Sequence, residues 1–135
     1  MNLIEYLLVK LSEELVETAK PAAKAIVFGL FTKNPTTLNT NVEELSYEFM
    51  DVLVILYYLK ALGIDLVPGV KYQFTDEQSQ LYFHNKIVRV HHYLFVSFGL
   101  GRVSIDEKQG GILQNLVDDA RNRLSEISHD KELQP

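Results

Sequence analysis

The chain of 135 residues contains no cysteine, which excludes disulfide bonds, thiolate zinc sites and cysteine nucleophiles. A basic surplus is missing too, since 13 lysines and arginines stand against 18 aspartates and glutamates, for a formal net charge of -5. Tight binding to nucleic-acid phosphates draws on such a surplus to release counterions. We therefore expect no nucleic-acid polymer as partner, and any phosphate-bearing ligand would need local lysines or a metal ion.

Long apolar runs and a basic leader are also missing. The longest apolar run, residues 52–59, is far shorter than the ~20 residues that a membrane-spanning helix needs. The N-terminus has no basic leader and carries an early Glu5, which is atypical of a signal peptide. We therefore expect a soluble, cytoplasmic protein without a membrane partner.

Apolar residues recur at helical spacing along the chain, and no convincing pair of strands is present. The length is that of one domain with a single core. We predict an all-α fold, a four- to five-helix bundle. Its helices are predicted at residues 3–29, 41–62, 75–98 and 112–127, with a loose tail at 128–135.

Proline and capping residues set the predicted helix boundaries. Pro21 removes a backbone donor and its ring collides with the carbonyl of Glu17, so the first helix should kink or restart near Lys20. A capping box pairs an N-cap side chain with Glu or Gln three positions later. The candidate pairs are Thr40 with Glu43, or alternatively Asn41 with Glu44, and Thr75 with Gln78.

Carboxylates lie against the apolar faces of the first two helices. At about 100° per residue, Glu14 projects close to Leu7, and Glu17 follows on the same flank. On the second helix, Glu48 and Asp51 directly precede the run at residues 52–59, which is apolar on every side and should be the most buried. Two such charges about 4 Å apart repel by about 4 kcal/mol at an effective dielectric of 20, so the cluster requires a cation. Oxygen ligands favour Mg²⁺, with Mn²⁺ as a possible substitute.

A solvated acidic face and a di-iron site are the alternatives to this metal site. Glutamates three or four positions apart usually form a solvated face, paired here as Lys10 with Glu14 or Lys20 with Glu17. One motif alone would favour that interpretation, whereas two motifs that both face apolar stripes favour a metal site. A di-iron bundle needs Glu-x-x-His on two of its helices, and the chain does not carry the motif twice.

The spacing of Glu13-Glu14-x-x-Glu17 and Glu48-x-x-Asp51 resembles the two signature helices of the all-α nucleoside triphosphate pyrophosphohydrolases, the MazG-like superfamily. That superfamily includes the dimeric dUTPases, the dCTPases and the phosphoribosyl-ATP pyrophosphohydrolases. A pattern from Lys86 to Val103 is similar to the third helix of small members. The resemblance thus covers a MazG-like helical domain at residues 1–103, and residues 104–135 form a C-terminal extension and tail of the same domain.

The resemblance implies an activity and roles for its residues. Glu14, Glu17, Glu48 and Asp51 would bind Mg²⁺, and Glu13 would activate the attacking water or help to hold a second ion. Such enzymes cleave a nucleoside triphosphate between its α and β phosphates, releasing the monophosphate and pyrophosphate. A homodimer or homotetramer, the dimer of dimers, is also implied.

Four further residues are candidates for contacts with the nucleotide. Lys10, one turn before Glu14, and Lys86 and Arg89, in the third-helix pattern, are the cations that phosphates need. Asn85 could read a base edge. A solvated position is the alternative for each of the four.

The apolar side chains of the third helix exceed what one short bundle would bury, which favours association into the homo-oligomer. Two non-enzymatic alternatives remain. One is a helical nucleotide- or partner-binding module without catalysis, and the other is a purely structural bundle with acidic surfaces.

Overall fold

A computed structural model describes residues 1–132 of the chain. Within this range the chain forms four helices, α1 (Leu3–Phe28), α2 (Asn41–Ala61), α3 (Glu77–Gly99) and α4 (Glu107–Glu132). Apart from two isolated bridges between single residues, the described part contains no β-structure, which confirms the all-α prediction. None of these helices combines the length and the hydropathy that crossing a bilayer requires.

α1 is one helix from end to end. Asn2 and Glu5 form its capping box, with Asn2 Oδ1 accepting from Glu5 N at 2.8 Å and Glu5 Oε2 accepting from Asn2 N at 3.0 Å. Pro21 lies inside the helix and is buried, so the restart predicted near Lys20 does not occur. The proline removes one backbone hydrogen bond, and the packing of α1 along α2 outweighs that loss.

The starts of α2 and α3 follow N-cap chemistry. Thr40 caps α2, as the first of the two alternatives predicted, because its Oγ1 accepts from Glu43 N at 3.2 Å. α3 begins one residue later than its predicted capping box, since the N-cap is Asp76 and not Thr75. Asp76 Oδ2 accepts from Ser79 N at 2.9 Å, and the hydrogen bonds from Ser79 hold the pKa of Asp76 below its usual range.

α4 is longer at both ends than predicted. It begins at Glu107 and not at Ile112, because Asp106 and Gln109 cap each other's backbone N–H groups at 2.7 and 3.1 Å. It also runs through most of the predicted loose tail, as far as Glu132, while the last residues of that tail lie outside the described range.

One hydrophobic core joins the helices. α1 and α3 both pack on α2, and α4 packs on α3 and α2. The Tyr58 side chain, on α2, is fully buried and donates a hydrogen bond to the Ile87 backbone oxygen of α3 at 2.9 Å. Leu113, Leu116 and Ala120 place α4 in the same core, so α4 is part of the bundle.

Candidate metal centre

Three carboxylates from two helices meet on one side of α2. One oxygen atom from each of Glu14, Glu48 and Asp51 lies within 4.8 Å of the others. Glu48 and Asp51 stand one turn apart on α2, and α1 packs along α2 with Glu14 facing them. Asp51 is buried, and the other two are half-buried. The structure thus brings together three of the four residues predicted as metal ligands.

The other two acidic residues of the first motif lie outside this cluster. Glu17, the fourth predicted ligand, is exposed and pairs with Lys20 at 3.2 Å, as expected of a solvated acidic face. Glu13, the predicted catalytic base, is also exposed and pairs with Lys10 at 3.0 Å.

Lys86 reaches the cluster from α3. Its Nζ lies 3.2 Å from Glu14 Oε1 and 3.6 Å from Asp51 Oδ1, and its side chain is only 17% exposed. The residue was predicted to contact substrate phosphates. In this structure it is the counter-ion of two carboxylates.

Tyr82, one turn before Lys86 on α3, also serves the cluster. Its hydroxyl donates to Asp51 Oδ1 at 2.9 Å. Burial, followed by the negative charge of Asp51, raises the pKa of Tyr82, so the phenol keeps the proton that it donates. The ring stacks on Tyr47, with centroids 4.6 Å apart, and the Arg89 guanidinium lies 6.0 Å from its centroid.

The charges of the cluster do not balance. Three carboxylates and the Lys86 ammonium leave two negative charges uncompensated. Within the described part of the chain, Glu48 has no ion pair. Burial raises the pKa of Glu48, and the negative charges of Asp51, Glu14 and Glu17 raise it further. A divalent cation would supply the charge that is lacking, and carboxylate oxygens are the donors that a hard ion such as Mg²⁺ prefers.

A cleft of about 140 Å³ opens beside the carboxylates. Its walls contain cationic side chains, aromatic rings and two glutamates of the first motif, Glu13 and Glu14. Its lining consists of Tyr6, Lys10, Glu13, Glu14, Ile55, Lys86, Arg89, Val90 and Tyr93. All three predicted phosphate-contacting cations are therefore in one place, whereas Asn85 is exposed and does not line the cleft.

Two tyrosines of the site were not predicted from the sequence. The spacing of Tyr82 on its helix is typical of a base-stacking or core ring and does not reveal a donor to Asp51. Tyr6 belongs to no motif, although its ring lies 5.6 Å from Lys10 Nζ in the cleft. Each tyrosine stands four positions before a lysine of the site, and residues at that spacing share a helix face. This spacing from a lysine is the sequence feature by which the two tyrosines could have been predicted.

Comparisons with protein-family models, curated proteins and solved structures found no match.

Proposed function

We propose that the protein is a Mg²⁺-dependent nucleoside triphosphate pyrophosphohydrolase of the MazG-like type. It would cleave the α–β phosphoanhydride of a ribo- or deoxynucleotide and release the monophosphate and pyrophosphate. The observation that supports this most is the convergence of Glu14, Glu48 and Asp51 beside a cleft with two further cations. Lys86 offsets one of the three negative charges, and Lys10 and Arg89 line the cleft. The spacing of the motifs supplies the reaction class.

Each part of the site has a role in this reaction. Glu14, Glu48 and Asp51 would hold the ion, which would neutralise phosphate charge and help to position the attacking water. Lys10 and Arg89 line the cleft where phosphate oxygens would lie. The water oxygen bonds to phosphorus as the bridging P–O bond breaks, and Glu13, on the cleft wall, takes the water proton.

The exposed apolar surface supports the homodimer or homotetramer. Near the end of α1, Ile26 is 87% exposed and Phe28 65%, and on α3 Tyr93 is 63% exposed. Side chains of this kind are buried when copies of a chain associate. Light scattering coupled to size-exclusion chromatography measures the state directly, and a monomer at all concentrations would contradict this part of the proposal.

A panel of ribo- and deoxynucleoside triphosphates tests the activity, with pyrophosphate and monophosphate quantified in Mg²⁺, in Mn²⁺ and in EDTA. We expect hydrolysis of at least one nucleotide in either metal, lost in EDTA and in Glu14→Gln and Asp51→Asn. Glu126→Gln, which neutralises an exposed carboxylate on α4, is the matched control and should keep the activity. If no nucleotide releases pyrophosphate above the EDTA background, the protein is not this enzyme.

A second candidate is a non-catalytic helical module that binds a nucleotide or a partner. The exposed position of Glu13, already paired with Lys10, favours it, since a binding module needs no base. Nucleotide and Mg²⁺ would then raise the melting temperature without any turnover.

A further inference from the structure

Lys86 contacts two of the three carboxylates that could hold a metal ion. Its Nζ contacts Glu14 Oε1 and Asp51 Oδ1, and both residues belong to the three whose oxygens converge. These two carboxylates are shielded, with side chains 17% and 9% exposed. The ammonium is therefore the cation that the fold itself supplies to the cluster.

An ammonium and a divalent cation compete for these oxygens. Both are attracted to the same two carboxylates, and two positive ions within hydrogen-bond distance of one oxygen repel each other. Since α1 and α3 both pack on α2, the side chain of Lys86 spans from α3 to Glu14 on α1. A lysine has a flexible four-carbon stem and can withdraw without any helix moving.

The cleft is where the displaced ammonium would go. Lys86 already lines it, together with Lys10 and Arg89. Moving a third positive charge toward these two is unfavourable unless an anion lies between them. A polyphosphate chain fits that requirement, because it carries several negative charges in a row.

We propose that Lys86 competes with the divalent cation for these carboxylates. When the metal binds, the Lys86 ammonium leaves them and contacts a polyphosphate in the cleft, so that the metal and the anion bind cooperatively. This inference rests on the metal site of the proposed function. Cooperativity of this kind is reciprocal, so each ligand strengthens the binding of the other.

Thermal melting of the full chain, titrated with MgCl₂ with and without pyrophosphate, tests the proposal in the wild type and in Lys86→Met. The variant keeps most of the length of the side chain and removes its charge. We expect it to melt lower in EDTA, because three carboxylates then lack a counter-ion. It should reach half-saturation at about tenfold less Mg²⁺, because the ion then no longer competes with a charge-assisted hydrogen bond, whose typical strength corresponds to about that factor. Pyrophosphate should lower the half-saturating Mg²⁺ concentration in the wild type but much less in the variant.

Lys24→Met is the matched control, since Lys24 is an exposed lysine on α1 that makes no ion pair within residues 1–130. It should titrate like the wild type. Equal or weaker Mg²⁺ binding by Lys86→Met would overturn the competition while leaving the metal site in place. No response of either protein to Mg²⁺ would instead remove the metal site itself.

A labelling experiment on the unchanged chain covers the case in which Lys86→Met does not fold. Acetylation by a small amine-reactive reagent, followed by mass spectrometry, reports the accessibility of each lysine. Mg²⁺ alone should speed the labelling of Lys86 relative to Lys24. An unchanged ratio at Mg²⁺ concentrations that stabilise the protein would show that the ammonium does not move.

Discussion

Tyr82 and Asp51 are joined by a hydrogen bond of 2.9 Å from the phenol to Oδ1, the same oxygen that faces the Lys86 ammonium at 3.6 Å. The bond fixes the orientation of the most buried carboxylate of the cluster. It comes from α3, the helix that also supplies Lys86, so the position of α3 determines both contacts.

Removing this hydrogen bond should weaken metal binding. Tyr82→Phe keeps the ring that stacks on Tyr47 and deletes only the donor. Groups that orient metal ligands typically change metal affinity by about 10- to 100-fold when removed, so we expect the Mg²⁺ midpoint of thermal stabilisation to rise by about tenfold or more. Tyr72→Phe, at a half-buried tyrosine outside the cluster, is the control. Equal midpoints for both variants would contradict an orienting role.

Glu48 should destabilise the metal-free protein at neutral pH. Its pKa in the folded state is raised above the ordinary value of 4.5, so the folded chain binds this proton more tightly than the unfolded chain does. Stability is therefore lost as the pH rises from about 4.5 through the folded pKa, and the loss is complete above it. In EDTA, Glu48→Gln should then resist urea better than the wild type at pH 7.5, with no advantage at pH 4. In Mg²⁺ at pH 7.5, the wild type should instead resist urea better than Glu48→Gln.

Glu17 and Glu14 should differ in their effect on the metal. Glu14→Gln removes a carboxylate of the cluster, whereas Glu17→Gln removes an exposed one that pairs with Lys20. We expect the Mg²⁺-induced rise in melting temperature to disappear in Glu14→Gln and to persist in Glu17→Gln. Loss of the rise in both variants would restore Glu17 as a ligand.

Glu13 should affect turnover and leave metal binding unchanged. As the proposed base it contributes to proton transfer, an effect worth about 10²- to 10⁴-fold, and it is not among the converging carboxylates. Glu13→Gln should lower kcat by about that factor with an unchanged Mg²⁺ midpoint. A shifted midpoint with normal kcat would make Glu13 a ligand and not a base.

The contact between α2 and α3 can be tested through Tyr58. Tyr58→Phe removes a buried hydrogen bond to the Ile87 oxygen without opening a large cavity. The free energy of unfolding should fall by about 1 kcal/mol, as for a typical intramolecular hydrogen bond. Tyr72→Phe, at a half-buried tyrosine outside this contact, should show no comparable loss in the same urea titration.

The bundle was predictable because apolar residues such as Leu3 and Leu7 recur at helical spacing and are fully buried. The exact starts of α3 and α4 were not predicted. For α3, the reason is that Thr75 and Asp76 are adjacent residues that both suit an N-cap. The start of α4 was missed although Asp106 and Gln109 have the spacing of a capping pair.

The carboxylates of the site were predictable for an energetic reason. Glu14, Glu48 and Asp51 occupy positions where helix packing alone favours apolar residues, and that conflict is visible in the sequence. The contact of Lys86 with Glu14 was not predictable, because it depends on how α1 and α3 are placed around α2, and no periodicity along one helix carries that information.

The packing of α4 extends the set of positions that influence the centre. The described residues of α4 contribute no group to the carboxylate cluster, yet they support α3, which presents Tyr82 and Lys86 to Asp51. A change in the size of Leu113 or Leu116 would therefore reach the carboxylates as a small shift of α3. Natural variation or directed evolution in the last helix can therefore adjust the contacts of Tyr82 and Lys86 with Asp51 without altering any residue of the cluster.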